Sequence, residues 1–113
     1  MNFDVLSSDG STVYSVSVGL DGGKVRASCT CRAGELGKLC KHQIGILSGQ
    51  TGLLVSPNNE VKSELGKFVL EISDTECANY LAEILAADTE MKEQKRRLDR
   101  AKRNLEKTLK QHL

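Results

Sequence analysis

Val25-Arg26-Ala27-Ser28-Cys29-Thr30-Cys31, then Gly37-Lys38-Leu39-Cys40-Lys41-His42-Gln43-Ile44-Gly45-Ile46-Leu47, is the stretch on which the fold turns. Cys29, Cys31, Cys40 and His42 fall within fourteen residues. Three thiols and one imidazole are the ligand set of a closed tetrahedral zinc site. The usual zinc spacing is C-x₂₋₄-C, so the C-x-C pair needs its own geometric reason. A strand supplies it, because residues i and i+2 point the same way. Cys40 and His42 cannot share one face inside a helix, where they diverge by about 200°. We therefore expect Cys40 just before a helix and His42 in its first turn. Four protein ligands leave no open position, which marks a structural metal. Arg32, Lys38 and Lys41 are expected to favour the thiolates electrostatically.

Working outward, Lys24 to Cys31 alternates, with Val25, Ala27, Cys29 and Cys31 on one face. Val13 to Val18 alternates too, and Asp21-Gly22-Gly23 is a turn signal. The two runs read as a hairpin, and Phe3–Leu6 reads as a further short strand joined through Ser8-Asp9-Gly10-Ser11. Arg32–Lys38, with Gly34 and Gly37, reads as a loop. Cys40–Leu47 reads as a short helix with Ile44 and Leu47 inward. Gly49–Asn59 reads mostly as loop, with Leu53-Leu54-Val55 a brief strand. Alternation of Phe68, Leu70 and Ile72 suggests another strand.

The residues around the ligands closely resemble the SWIM-type zinc finger, C-x-C-x(n)-C-x-H, in which a Lys often stands where Lys41 does here. The resemblance covers about residues 12–48. It implies a zinc-bound ββα-like unit that binds DNA or protein and does no catalysis. It says nothing of residues 60–113.

Ser73-Asp74-Thr75-Glu76 has the form of a capping box. No Gly or Pro follows it, so a helix could run about 39 residues, roughly 58 Å, and its outer half is expected to project from the finger unless it meets a partner. Ile84, Met91, Leu98, Leu105 and His112 recur every seven residues, with Ala87, Gln94, Ala101 and Thr108 as a weaker second column. This is a heptad-like seam. Leu109 and Leu113 broaden its end, whereas Leu81 and Leu85 could pack on the finger. The fold class is α+β: a zinc-stabilised finger domain over 1–72 and a long amphipathic helix over 73–113.

Net charge is +1 but segregated. Residues 60–91 carry an excess of acids and residues 92–113 an equal excess of bases. That order suits antiparallel pairing of two copies, since parallel pairing would set like charge beside like charge. The stripe of Lys92, Arg96, Arg100, Arg103, Lys107 and Lys110 is either a phosphate track or a solvated face supported by the i,i+4 pairs Asp88–Lys92, Asp99–Arg103 and Glu106–Lys110. Cys77 reads as a small packed residue and His112 as solvated.

The chain has four aromatic residues and no Trp, and a core that small usually needs a staple. Its N-terminus lacks the pattern of a signal peptide, and no apolar run reaches the ~20 residues of a membrane span. These features place the chain inside the cell, cytoplasmic or nuclear, with its thiols reduced. There is no nucleophile constellation and no phosphate loop, so no enzyme and no small-molecule substrate are expected. The first expectation is a zinc-binding interaction module that pairs with a protein or with itself. The alternative is DNA binding through Lys24, Arg26, Arg32, Lys38 and Lys41 on the finger with Arg96, Arg100 and Arg103 on the helix.

Overall fold

The computed structural model describes residues 1–109. Two compact units emerge, Met1–Leu81 and Ala82–Leu113.

The first unit opens with β1 (Asn2–Leu6), β2 (Val13–Asp21) and β3 (Lys24–Cys29), an antiparallel sheet in the order β1-β2-β3. Gly22 and Gly23 form the two-residue turn of the β2–β3 hairpin, with Asp21 opposite Lys24. The register sets Phe3 against Val16, Val5 against Tyr14, Val16 against Cys29 and Val18 against Ala27. Directly opposed residues share a face, so Phe3, Val5, Val16, Val18 and Cys29 form one apolar surface, and all five are buried. The expected first three strands and their core face are therefore present. β3 ends two residues before the expected Cys31, because Cys31 caps a helix instead.

That helix, α1 (Arg32–Glu35), replaces the expected loop. It is one turn long. Gly37 then bonds back to Gly34 and Lys38 to Ala33, the Schellman pattern that ends a helix on a left-handed residue. Gly37 takes that conformation at φ +74°. The second helix of the finger, α2 (Lys41–Leu47), has Cys40 as its N-cap, as the ligand geometry required. It buries a wider face than Ile44 and Leu47 alone: Ile46 is fully buried, and Ile44 is only half-buried.

Thr51–Leu53 is a 3₁₀ turn. The expected Leu53–Val55 strand shrinks to a single bridge between Leu54 and Val5, beside a bond from the Val55 N–H to Asp4 O. This pair covers the outer edge of β1.

Residues 68–72 do not form a strand. Asn59–Glu71 is α3, capped by the Asn58 side chain, which accepts from the Val61 N–H at 2.9 Å. The apolar positions Val61, Leu65, Phe68 and Ile72 follow a 3.6-residue period. Leu65, Phe68 and Ile72 are buried, whereas Leu70 is 73% exposed. Alternation over three residues was too short a window to outvote that longer period.

The last helix, α4, runs Glu76–Thr108. Its cap is Thr75, whose hydroxyl receives the Ala78 N–H at 3.4 Å. Ser73 instead bonds back to Leu70 O, so the expected Ser73–Glu76 capping box does not form. Leu81 joins the core of the first unit and Cys77 packs half-buried against it.

The second unit, described by itself, is the rest of this helix. Every described residue from Ala82 on is exposed. Ion pairs join Asp88 to Lys92 at 3.0 Å and Glu93 to Arg96 and Arg97 at 3.6 and 3.8 Å. Asp99 and Arg103 are not within ion-pair distance among the described residues. Lys110, His112 and Leu113 lie outside the described residues.

Candidate metal centre

The finger brings its four candidate ligands to one point. Cys29 lies at the end of β3, Cys31 caps α1, Cys40 caps α2, and His42 sits in the first turn of α2. One ligand atom from each lies within 4.8 Å of all the others. All four residues are buried. With Zn–S bonds of about 2.3 Å, a tetrahedral site spaces its sulfurs roughly 3.8 Å apart, so the cluster is of the right size for a single zinc ion.

Backbone geometry prepares the sulfurs for negative charge. The Gly34 N–H points at Cys31 Sγ at 3.4 Å, and the Gln43 N–H points at Cys40 Sγ at 3.4 Å. The Cys31 N–H lies 3.5 Å from Cys29 Sγ. These donors orient the ligands from behind and favour the thiolate form. Sequence reasoning missed Gly34 and Gln43 as supports. Their signal was available: each stands three residues after a ligand cysteine, the distance from an N-cap to the N–H it receives.

His42 turns Nδ1 toward Cys29 Sγ at 3.9 Å, and its ring meets Tyr14 with centroids 5.2 Å apart. Its Nε2 is buried and has no hydrogen-bond partner among the described residues. Nδ1 is the nitrogen that faces the thiols and so the one placed to take a metal. Burial holds the imidazole below its ordinary pKa, and the charge of Lys41 adds to this. Both effects keep it neutral, as a ligand must be.

Burial pushes the Cys29 thiol up to about 12. Burial also opposes ionisation of Cys31. There the Gly34 N–H and the neighbouring Cys29 and Cys40 outweigh it, and the pKa falls below its ordinary value. Arg32, Lys38 and Lys41 are not among the causes of these thiol shifts, contrary to the expectation from sequence. A desolvated thiol set with one member shifted toward the anion is a site that a divalent cation completes.

The other basic candidates disperse. Arg26 pairs with Asp21 and lies across Gly19 of β2. Lys41 Nζ bonds to Ser8 Oγ. Lys24, Arg32 and Lys38 are exposed on the first unit. Arg96, Arg100 and Arg103 are exposed on the second, and Arg96 is paired with Glu93.

A search of curated proteins and a search of solved structures each returned no match. The family model of the SWIM zinc finger matches residues 14–48 and leaves the flanking residues outside the match. Those 35 residues run from Tyr14, which packs on His42, to Ser48, the C-cap of α2. With the C-x-C…C-x-H ligands converging as that motif requires, the chain carries a SWIM zinc finger whose Cys29, Cys31, Cys40 and His42 are placed to bind one zinc ion.

Proposed function

We propose that this zinc-binding chain is an intracellular interaction module and that α4 pairs with a second copy of itself. The observation that carries the reading is an apolar seam that nothing among the described residues covers. Ile84, Met91, Leu98 and Leu105 recur at seven-residue spacing and are 38%, 71%, 53% and 59% exposed. Burying a large apolar side chain is worth about 1.5–3 kcal/mol, so a partner helix has much to gain.

Charge order selects the pairing. From Glu76 to Met91 the helix carries four acids and no base; from Lys92 to Thr108 it carries eight bases and three acids. Antiparallel pairing sets the acidic half of one copy against the basic half of the other. A register that places Met91 against the partner's Leu98 also brings Glu90 near the partner's Arg97. Sedimentation equilibrium of the zinc-loaded chain tests this. We expect a dimer at micromolar concentration, lost in Leu98→Lys, weakened in Glu90→Lys and recovered in Glu90→Lys/Arg97→Glu. A monomer at high micromolar concentration sinks the reading.

The role is binding and not catalysis, a reading supported by four protein ligands that leave the metal no open position. Thiols serving as zinc ligands suit a reducing compartment, and no helix among the described residues is long and apolar enough to cross a membrane.

A second reading, DNA binding, draws support from Arg100 and Arg103, which are exposed and have no carboxylate within ion-pair distance among the described residues. It requires DNA affinity that falls steeply with added salt and disappears in Arg96→Ala/Arg100→Ala/Arg103→Ala.

A further inference from the structure

The sheet has one covered edge and one open edge. On the β1 side, Leu54 and Val55 bond to Val5 and Asp4 and close the ladder. On the β3 side nothing among the described residues does so over Lys24–Ser28. The direction of the unpaired groups follows from β2. Both the N–H and the C=O of Val18 are engaged with Met1, on the β1 side. Val18 is opposite Ala27, so this is a non-hydrogen-bonded pair, and Ala27 directs its own N–H and C=O away from β2. Val25, two residues earlier, does the same. Neither residue takes part in any turn, loop or cap bond among the described residues. Further along, α1 covers the strand, with Gly34 against the Cys29 carbonyl.

Beside this open edge lies a groove of about 390 Å³, lined by Val25, Ala27, Leu39, Leu47 and Cys77, with Lys38 at its rim. It sits on the core side of the sheet, where an added strand would direct every second side chain. Leu39 is 57% exposed there. The opposite side of the same edge carries Lys24 and Arg26. From Lys24 to Lys41 the chain has five bases and one acid, Glu35.

The geometry points to strand addition: the β3 edge at Val25 and Ala27 takes an extended acidic peptide segment of a partner protein as a fourth strand. Main-chain bonds to Val25 and Ala27 supply affinity. Small apolar side chains enter the groove, and the acidic side chains that alternate with them point to the opposite face, toward Lys24. Charge also argues against a second copy of the same strand. The antiparallel register that uses both Val25 and Ala27 sets Arg26 directly against the partner's Arg26, and like charges so placed are destabilising. The inference stands apart from helix pairing, since it uses only the first unit.

The test is fluorescence anisotropy with the zinc-loaded full chain and a labelled octapeptide alternating Asp or Glu with Val or Leu. We expect saturable binding, with chemical-shift changes at the Val25 and Ala27 amides. Ala27→Pro removes an outward N–H without touching the ladder, a position where an edge strand accepts proline. It should weaken binding about tenfold or more, as should Lys24→Glu/Lys38→Glu, a loss of at least ~1.4 kcal/mol. Zinc stoichiometry verifies that each variant is folded. Methylating alternate amides of the peptide makes the same test from the ligand side and should abolish binding. The inference is overturned by no binding at about 1 mM peptide, a free energy weaker than ~4 kcal/mol. Equal binding of the methylated peptide, or of a peptide with Lys in place of its acids, overturns it too. So does preferential binding of a thymine oligonucleotide that Lys24→Glu/Lys38→Glu abolishes and Ala27→Pro spares.

Discussion

Gly34 rests against the backbone carbonyl of Cys29. A Cβ on Gly34 would lie well inside 3.0 Å of that oxygen, and 2.9 Å from the Cys29 Cβ. Two parts of the metal centre are thus held together by the absence of a side chain. Gly34→Ala must push α1 away from β3 and carry the Gly34 N–H off Cys31 Sγ. We expect zinc affinity to fall on the order of 10–100-fold, the usual cost of a lost supporting bond behind a ligand. Competition with a chromophoric chelator measures it, and an unchanged affinity would refute the packing argument. Gly66→Ala is the contrasting case, because nothing lies within 4 Å of its added methyl on the exposed face of α3. There the helix should gain about 0.5–1 kcal/mol.

Removing the metal should unfold the first unit. Cys29, Cys31 and Cys40 belong to its buried core, and α1 and α2, at four and seven residues, are far below the ~12–15 residues at which an isolated helix is even marginal. Chelation, or Cys40→Ser, is expected to abolish the slow amide exchange of β2, β3 and α2. Retention of protected amides in α2 after complete zinc removal would show that packing alone suffices.

Acid should act through the same ligands. The folded-state pKa of His42 lies below its ordinary value, so its contribution to stability is complete above about pH 6.5 and is lost as pH falls below that. Zinc binding adds to this in the same direction, because protons compete with the metal at every ligand. Zinc uptake at neutral pH should release protons, with Cys29 a principal source because its thiol titrates only near 12 before the metal arrives. Calorimetry in two buffers of different ionisation enthalpy reads the release directly. Uptake without proton release would contradict a buried, protonated Cys29.

A pair of truncations separates the observed α3 from the strand read in the sequence. Ile72→Ala should cost about 2–5 kcal/mol, as for a fully buried side chain. Leu70→Ala should stay within about 0.5 kcal/mol, as for a surface site. In a strand, Phe68, Leu70 and Ile72 would share one face, and the two losses would be alike. Urea unfolding of the zinc-loaded variants makes the comparison.

The ligands were legible because their chemistry is local. Cys29 at the end of an alternating strand and Cys40 ahead of a helix follow from backbone geometry, and the structure places them so, whereas Cys31 leaves the strand and caps α1. The hairpin was legible from Asp21-Gly22-Gly23 between alternating runs. α1 was not, since Gly34 and Gly37 read as loop residues. Their roles, a close approach to Cys29 and a left-handed helix end, depend on what packs beside them. The same holds for Phe68 and Ile72, whose burial is decided by the core they join. Thr75 displaced Ser73 as the cap of α4 because α3 holds Ser73 through Leu70 O, a bond no local pattern encodes.

Cys31 and Cys40 each serve as a zinc ligand and as the N-cap of a helix. One sulfur therefore answers to two equilibria, coordination and helix initiation, and neither can shift without the other. Order in this segment becomes a function of the chemical potential of zinc. Each tenfold change in free zinc above the dissociation constant moves the stability of the finger by about 1.4 kcal/mol. Where zinc is scarce, the sheet surface that the finger holds in place is rationed with it.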